Sequence, residues 1–233
     1  MSMNAAKNAT KNRSWWERSV ARRWFLTRLG AGAGVLGATA VGSSTALAQA
    51  PAGASWKPTR HSQDDWLDKI PGQHRFVFDT TTPDGLALGL LFASNYFTAN
   101  RDAYGLQDHD LAVVIVARHK STSFGYNDAM WAKYGKQFSE QSGFADPKTK
   151  QAPTANLYAD RIDPLIKKGV QFAVCQMSSR RISGAIAQAT GGDAGNILKE
   201  LAANLMPNAR IVPAGIVAVN RAQERGYSFV YGM

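Results

Sequence analysis

The stretch DLAVVIVARH, residues 110–119, is a continuous apolar run, rich in β-branched residues, between charged ends. A strand that is apolar at every position is typical of a parallel sheet, where both faces are buried. Four other runs have strand character: HRFVFDTTT (74–82), GVQFAVCQM (169–177), ARIVPA (209–214) and YSFVYG (227–232). The sequence therefore predicts five strands.

Helical segments separate these strands. The clearest one begins at Thr82-Pro83-Asp84, because proline is favoured at the first helical position, and it stops near Gly105. We expect Asn127 or Asp128 to cap the helix after the second strand, and Ser178 or Ser179 to cap the helix after the third. Alternating strands and helices, joined by right-handed crossovers, predict an α/β fold. Its mostly parallel five-stranded sheet would carry helices on both faces.

Residues 1–48 have the features of a twin-arginine export signal. Arg22 and Arg23 precede Trp24, a Gly/Ala-rich stretch follows, and the sequence 46–48 (Ala-Leu-Ala) fits a cleavage site. The alternative is a membrane anchor, but a span needs about 20 strongly apolar residues, and this stretch is mostly Gly, Ala, Ser and Thr. We expect a periplasmic protein with no stable membrane span after cleavage.

The remaining chain divides into a linker with a short helix at 49–73 and an α/β domain at 74–233. In the short helix Ser62 can act as the cap, and Trp66 and Ile70 share one face.

The positive charge of the chain comes largely from its N-terminal segment. The formal net charge is +10, but residues 1–48 hold seven Lys or Arg and one acidic residue, which leaves +4 for the rest. No dense Lys/Arg run follows residue 48. The charge therefore gives no reason to expect a nucleic-acid partner.

Cys175 is the only cysteine. One cysteine excludes an intramolecular disulfide, a multi-cysteine zinc site and a C-x-x-C-H haem attachment. No two histidines have the spacing of metal ligands, and GGDAG at 191–195 lacks the preceding strand of a nucleotide-binding motif. The sequence therefore predicts no metal and no cofactor.

Polar residues gather where the predicted strands end, which is the edge where α/β proteins bind ligands. Cys175 ends the third strand and is either a small core residue or a reactive thiolate. A thiolate would need a helix N-terminus or a cation, which the segment with Ser178, Arg180 and Arg181 offers. The other candidates at this edge are Asp79, Thr80 and His119.

Two of these candidates have a specific expected role. His119 is the histidine best placed for acid–base chemistry. If the first strand lay between the second and the third, it would be roughly 10 Å from Cys175, given a strand spacing of about 4.8 Å. Asp79 is either a carboxylate of the site or a cap for loop amides.

Three segments together resemble the DsrE/DsrF-like family: residues 74–100, residues 165–182 with the pattern G-V-x-F-x-V-C, and residues 211–231 with a V-P-x-G motif and a closing Q-x-x-G-Y. The likeness spans residues 74–231, and the leader and the NDAMWAKYG segment resemble an exported branch. The resemblance implies a flavodoxin-like fold and assembly into trimers or hexamers. It also implies a cysteine that carries sulfur as a persulfide between partner proteins.

The position that matches this cysteine is Cys175. We therefore expect a periplasmic sulfur-handling protein that acts through Cys175 with a sulfur-donor or acceptor protein, its pocket shaped by Asp79, Thr80, His119, Ser178 and Arg180. The alternative is a non-catalytic, oligomeric binding or scaffold module in which Cys175 is buried.

Overall fold

The computed structural model describes residues 57–232, and these form alternating strands and helices around one sheet. The strands are β1 (His74–Thr80), β2 (Leu111–Ala117), β3 (Gln171–Cys175), β4 (Ala209–Val212) and β5 (Ser228–Gly232). The helices are α1 (Trp66–Lys69), α2 (Pro83–Tyr104), α3 (Asp128–Ser142), α4 (Ala159–Lys167), α5 (Gln176–Thr190), α6 (Ala194–Ala203) and α7 (Gly215–Gln223). Three 3-10 turns lie at Ser62–Asp64, Asp108–Asp110 and His119–Gly125.

All five strands are parallel, in the order β4-β3-β2-β1-β5. The predicted α/β, flavodoxin-like fold is therefore confirmed. From β1 to β4 the chain moves in one direction across the sheet, so right-handed crossovers place α2 to α6 on one face. The step from β4 to β5 runs in the opposite direction and places α7 on the other face.

The core has two apolar layers, one on each face of the sheet. Strand β2 is buried at every position, with Val113 and Ile115 in the layer under α2 to α6 and Val114 and Val116 in the layer under α7. Burial of each such side chain contributes roughly 1.5–3 kcal/mol. This burial on both sides explains why residues 111–117 are continuously apolar.

Local signals set the helix starts as expected in two cases. The side chain of Thr82 accepts a hydrogen bond from the Gly85 amide at the start of α2, and Gly105 ends this helix with φ 67°. The side chain of Asn127 accepts from the Met130 amide at the start of α3. These caps satisfy amides that have no partner within the helix.

The segment before β1 covers the α7 face of the sheet. Ser62 starts a 3-10 turn, and the helix that we expected there is reduced to the four residues of α1. Leu67 is fully buried, and its carbonyl accepts hydrogen bonds from Tyr227 and Arg75. The side chain of Arg225 pairs with Asp68 at 3.1 Å. This segment is therefore part of the folded unit rather than a free linker.

The proposed export signal at residues 1–48 lies outside the described residues. Between residues 57 and 232, no helix is both long and apolar enough to cross a membrane.

Candidate functional site

The connections of β3 and β4 diverge at the carboxyl edge of the sheet. Strand β3 continues into α5 on one face, whereas β4 continues into α7 on the opposite face. Such a divergence between neighbouring parallel strands is a topological switch point, outside which α/β proteins bind ligands. The candidate site is therefore at the ends of β3 and β4, where Cys175 pairs in register with Val212.

Cys175 is the last residue of β3 and directly precedes α5. Phe172 and Val174 belong to the layer under α2 to α6, and Ala173 belongs to the layer under α7. Continued alternation places the Cys175 side chain on the α7 face. The residue is buried, with 5% of its surface exposed, so any reagent has only a narrow approach to the thiol.

An ion pair lies on the same face, at the ends of β1 and β2. Arg118 donates from Nε to Asp79 Oδ1 at 2.7 Å and from Nη2 to Asp79 Oδ2 at 2.8 Å. The Asp79 side chain is 2% exposed and that of Arg118 is 26% exposed. The third guanidinium nitrogen, Nη1, makes no hydrogen bond to any residue between 57 and 232. It is available to an anion.

Electrostatic contacts connect this ion pair with the cysteine. The hydrogen bonds that Arg118 donates to Asp79 raise the pKa of Arg118 most, and electrostatic interactions with Tyr231 and Cys175 add smaller increases. Tyr231 pairs in register with Asp79, and its hydroxyl lies 2.7 Å from Thr81 Oγ1. A guanidinium that stays protonated therefore lies within electrostatic reach of the Cys175 thiol.

Gly215, the first residue of α7, packs directly on the arginine. A Cβ atom at this position would lie 2.6 Å from Arg118 Cβ and 3.0 Å from Val116 Cγ1. Only glycine allows the helix to come this close without a shift of Arg118. The Arg118 side chain is thus held between Asp79 and the start of α7.

His119 and Ser178 join the turn after β2 to the start of α5. The His119 amide donates to Ser178 Oγ at 2.9 Å, and His119 has φ 57°, which is uncommon for a side chain of this size. Its pKa is lowered, first by burial and then by the charges of Arg181, Lys120 and Arg118. The strand order that we assumed, with β1 between β2 and β3, is wrong, because β2 lies between β1 and β3. His119 therefore follows the strand next to that of Cys175, and the expected separation of roughly 10 Å no longer has a basis.

Neither Ser178 nor Ser179 caps α5, contrary to our expectation. The helix begins two residues earlier, at Gln176, and Ser179 Oγ donates to the Cys175 carbonyl at 2.9 Å within the first turn. Tyr126 in turn donates to Ser179 Oγ at 2.6 Å, and burial raises the Tyr126 pKa to about 12. Ser179 and Tyr126 thus fix the backbone of the cysteine.

Two other predicted site residues lie apart from Cys175. Thr80 is fully buried, and its hydroxyl donates to the Val116 carbonyl at 2.8 Å. Its methyl group faces Gly89 of α2, on the opposite face of the sheet. Arg180 is exposed, and within residues 57–232 its side chain contacts no acidic group. Of the predicted site residues, His119 and Ser178 therefore meet near the start of α5, which follows Cys175, whereas Asp79 lies two strands from Cys175, with Arg118 at the end of the strand between them.

A cavity of about 340 Å³ opens next to the end of β3, between α1, α5 and β4. Its walls include Gln176, which follows Cys175, and Val212, which pairs with it. Cys175 is not itself a lining residue of this cavity. Small molecules in this cavity can therefore contact the residue after Cys175 and its partner on β4.

Arg118, Gly215 and Tyr231 are the residues that sequence reasoning did not identify. The available signal was an arginine directly after the buried apolar strand β2, together with an aspartate near the end of β1. Within residues 57–232 no three His, Cys, Asp or Glu side chains cluster as metal ligands. A thiol beside a paired guanidinium is suited to nucleophilic attack on, or binding of, a small anion.

Comparisons with known proteins leave the family open. No family model matches the sequence, and no curated protein matches it. One solved structure that is similar to this chain is a protein of unknown function, MTH1491 from Methanobacterium thermoautotrophicum. It shares 17% sequence identity, with a TM-score of 0.39, over 68% of this chain and 99% of that chain.

Proposed function

We propose that this protein carries or processes a small anionic sulfur species on Cys175. The observation that carries the proposal is the position of Cys175 at the β3–β4 switch point, on the same face as an arginine held by Asp79. A nearby cation and the start of a helix both favour a thiolate over a thiol. Arg118 Nη1 would bind the negative end of the incoming sulfur species.

The chemical step needs no outside oxidant. The Cys175 thiolate attacks the terminal sulfur of an inorganic polysulfide dianion and forms a new Sγ–S bond. The adjacent S–S bond of the polysulfide breaks, and its electron pair leaves on a polysulfide that is one sulfur shorter. The product is a Cys175 persulfide, and attack by an acceptor thiolate on its outer sulfur restores the Cys175 thiolate.

The resemblance to DsrE/DsrF-like proteins supports the same function, because their sulfur-carrying cysteine matches Cys175. We extend the proposal to location and partners: export to the periplasm through the leader at 1–48, and a sulfur-donor or acceptor protein there. Folding before export suits a chain with one cysteine, because no disulfide has to form.

Self-association is part of the proposal. Five large apolar side chains are 41–50% exposed, namely Leu88, Leu91 and Phe92 on α2 and Phe229 and Tyr231 on β5. Strand β5 is an edge strand, whose free backbone groups can pair with another chain. Both features support the trimer or hexamer that the resemblance implies.

A second candidate function is a non-catalytic binding or scaffold module, and the 5% exposure of Cys175 favours it. Labelling with a maleimide separates the two functions. A carrier reacts in the folded state, whereas a scaffold with a core cysteine reacts only after denaturation.

Persulfide loading tests the leading proposal. The purified protein and its Cys175→Ser variant are treated with polysulfide and measured by intact mass spectrometry. We expect the wild type to gain the mass of one sulfur atom, to lose it on reduction with dithiothreitol, and the variant to remain unchanged. The absence of an adduct on the folded wild type would overturn the proposal.

A further inference from the structure

A second cleft, of about 830 Å³, lies at the same edge of the sheet but on the face opposite α7. Its walls are the start of α2, the turn after β2, the loop between α3 and α4, and the start of α4. The volume is in the range of small-molecule sites, which measure roughly 300–1,000 Å³. Neither Cys175 nor Arg118 lines this cleft, so the proposed sulfur chemistry does not use it.

One wall of the cleft is a rigid aromatic cluster. Tyr158 stacks on Phe124 with ring centroids 4.7 Å apart, and the edge of Phe144 meets Tyr158 at 5.5 Å. Leu157, next to Tyr158, is 37% exposed. Phe144, Leu157 and Tyr158 offer an apolar surface to the cleft, and the buried Phe124 packs behind it.

Three cations point to a negative group in the ligand. Arg161 lies over the Tyr158 ring at 5.8 Å, and Lys120 and Lys148 line the cleft as well. The side chains of these three residues form no hydrogen bond and no ion pair with any residue in the described part of the chain. Their charges are therefore not neutralised within the fold.

Two carboxylates point to a positive group in the same ligand. Asp84 and Asp160 line the cleft from the first turns of α2 and α4, and neither has an ion-pair partner among residues 57–232. The third acidic residue, Asp146, already accepts hydrogen bonds from the amides of Lys148 and Thr149.

Charges of both signs act on the ring of Tyr158. The pKa of Tyr158 is raised, most by burial and then by Asp84, whereas the charge of Arg161 lowers it. Asp84 and Arg161 are thus both within electrostatic reach of the Tyr158 hydroxyl. A simple anion is disfavoured, because it would meet Asp84 and Asp160 at the two helix starts, where the carboxylates already offset the helix dipoles.

We propose that this cleft binds a zwitterionic ligand, namely a short peptide with free termini. The peptide carboxylate would contact Arg161 and Lys120, and its ammonium group would contact Asp84 and Asp160. Its side chain would pack on Tyr158 and Leu157. Opposite charges on one small ligand satisfy both sets of groups. The aromatic wall adds affinity for an apolar side chain.

Calorimetric titration of the purified protein with the tripeptide Ala-Phe-Ala tests this proposal. We expect saturable binding, and a loss of affinity of about tenfold or more when the peptide is N-acetylated or C-amidated, as follows from the strength of hydrogen bonds between charged groups. Asp84→Asn should lose the preference for the free amine, and Arg161→Gln the preference for the free carboxylate.

Controls keep this test independent of the sulfur chemistry. Cys175→Ser should bind the tripeptide as the wild type does, and Arg161→Gln should still form the persulfide. No binding of Ala-Phe-Ala at millimolar concentration, equal affinity for the blocked peptides, or equally tight binding of inorganic phosphate at this cleft would each overturn the peptide site.

Discussion

Arg118 binds Asp79 through two parallel hydrogen bonds of 2.7 and 2.8 Å across the ends of two neighbouring strands. Asp79 is almost fully buried, and the arginine is the only basic side chain that pairs with it within residues 57–232. The pair fixes the guanidinium on the face to which Cys175 points. The Asp79–Arg118 ion pair therefore contributes to the stability of the fold and also holds Arg118 in the proposed site.

Asp79→Asn should lower the free energy of unfolding by about 2–3 kcal/mol. Breaking a buried ion pair costs more than this when both partners are fully buried, but Arg118 is one quarter exposed. Urea denaturation at constant m-value measures the change. Asp102→Asn, which breaks the exposed Arg101–Asp102 pair, is the matched control and should cost at most about 1 kcal/mol. Equal effects of the two substitutions would contradict the structural role of Asp79.

Gly215→Ala should destabilise the protein and displace Arg118. The added methyl group would lie 2.6 Å from Arg118 Cβ, closer than carbon atoms can approach, so the start of α7 or the arginine must move. We expect a loss of about 1–3 kcal/mol, as for overpacking elsewhere, together with slower reaction of Cys175. Thermal unfolding and thiol labelling measure the two effects.

Gly184→Ala in α5 is the control for this substitution. A Cβ atom there meets nothing within 4 Å, and alanine is favoured over glycine in a helix by about 1 kcal/mol. This variant should be as stable as the wild type or more stable. A Gly215→Ala protein that behaves in the same way would show that α7 does not press on Arg118.

His119 should make the stability of the protein depend on pH. Its pKa is lowered from the ordinary value of 6.5, first by burial and then by three cations. The unfolded chain therefore takes up this proton at a higher pH than the folded chain, and stability is lost as the pH falls from above 6.5 through the lowered value. His119→Asn tolerates the same backbone conformation and does not titrate.

Urea denaturation at several pH values measures this contribution. Relative to His119→Asn, the wild type should lose stability below pH 6.5 and keep a constant difference above it. In NMR titrations, Arg181→Gln should raise the His119 pKa, because one of the lowering charges is removed. A His119 resonance that titrates at 6.5 or above in the wild type is incompatible with this environment.

Thr80→Val should affect stability and leave the thiol unchanged. The hydroxyl of Thr80 is buried and donates to the Val116 carbonyl, so its loss should cost about 1–2 kcal/mol. The side chain faces α2 rather than α7. The rate of Cys175 labelling in this variant should therefore equal that of the wild type, and a marked change in the rate would place Thr80 in the site after all.

The strands and most helices could be predicted because their signals are local. The apolar run at 111–117, the Thr82-Pro83 start of α2 and the glycine at its end each act within a few residues. The start of α5 could not be predicted in this way. Ser179 bonds the carbonyl four residues back instead of capping, and so the helix extends to the end of β3.

The order of the strands in the sheet could not be predicted from the sequence, and the residues that meet at the site depend on this order. A pattern of strands and helices predicts a parallel sheet, but it does not say on which side of β1 each later strand is added. Strands β1 and β2 are neighbours in the expected order as well as in the observed one, so Asp79 and Arg118 could pair in either. Only with β2 between β1 and β3 does Arg118 also lie next to the cysteine strand. Cys175 was at the correct edge, but a strand buried on both faces is apolar in both directions, so its alternation could not show which way the thiol points.

The most direct test of the central claim is the rate at which iodoacetamide alkylates Cys175 in the folded protein, measured by intact mass for the wild type, Arg118→Gln and Arg118→Lys. We predict complete alkylation of the native wild type. The reaction should be slower in Arg118→Gln, because a cation beside a cysteine increases its reactivity, and Arg118→Lys, which keeps the charge, should be close to the wild type. A wild-type thiol that reacts only after denaturation, or that reacts at the same rate without the arginine, would contradict the proposed site.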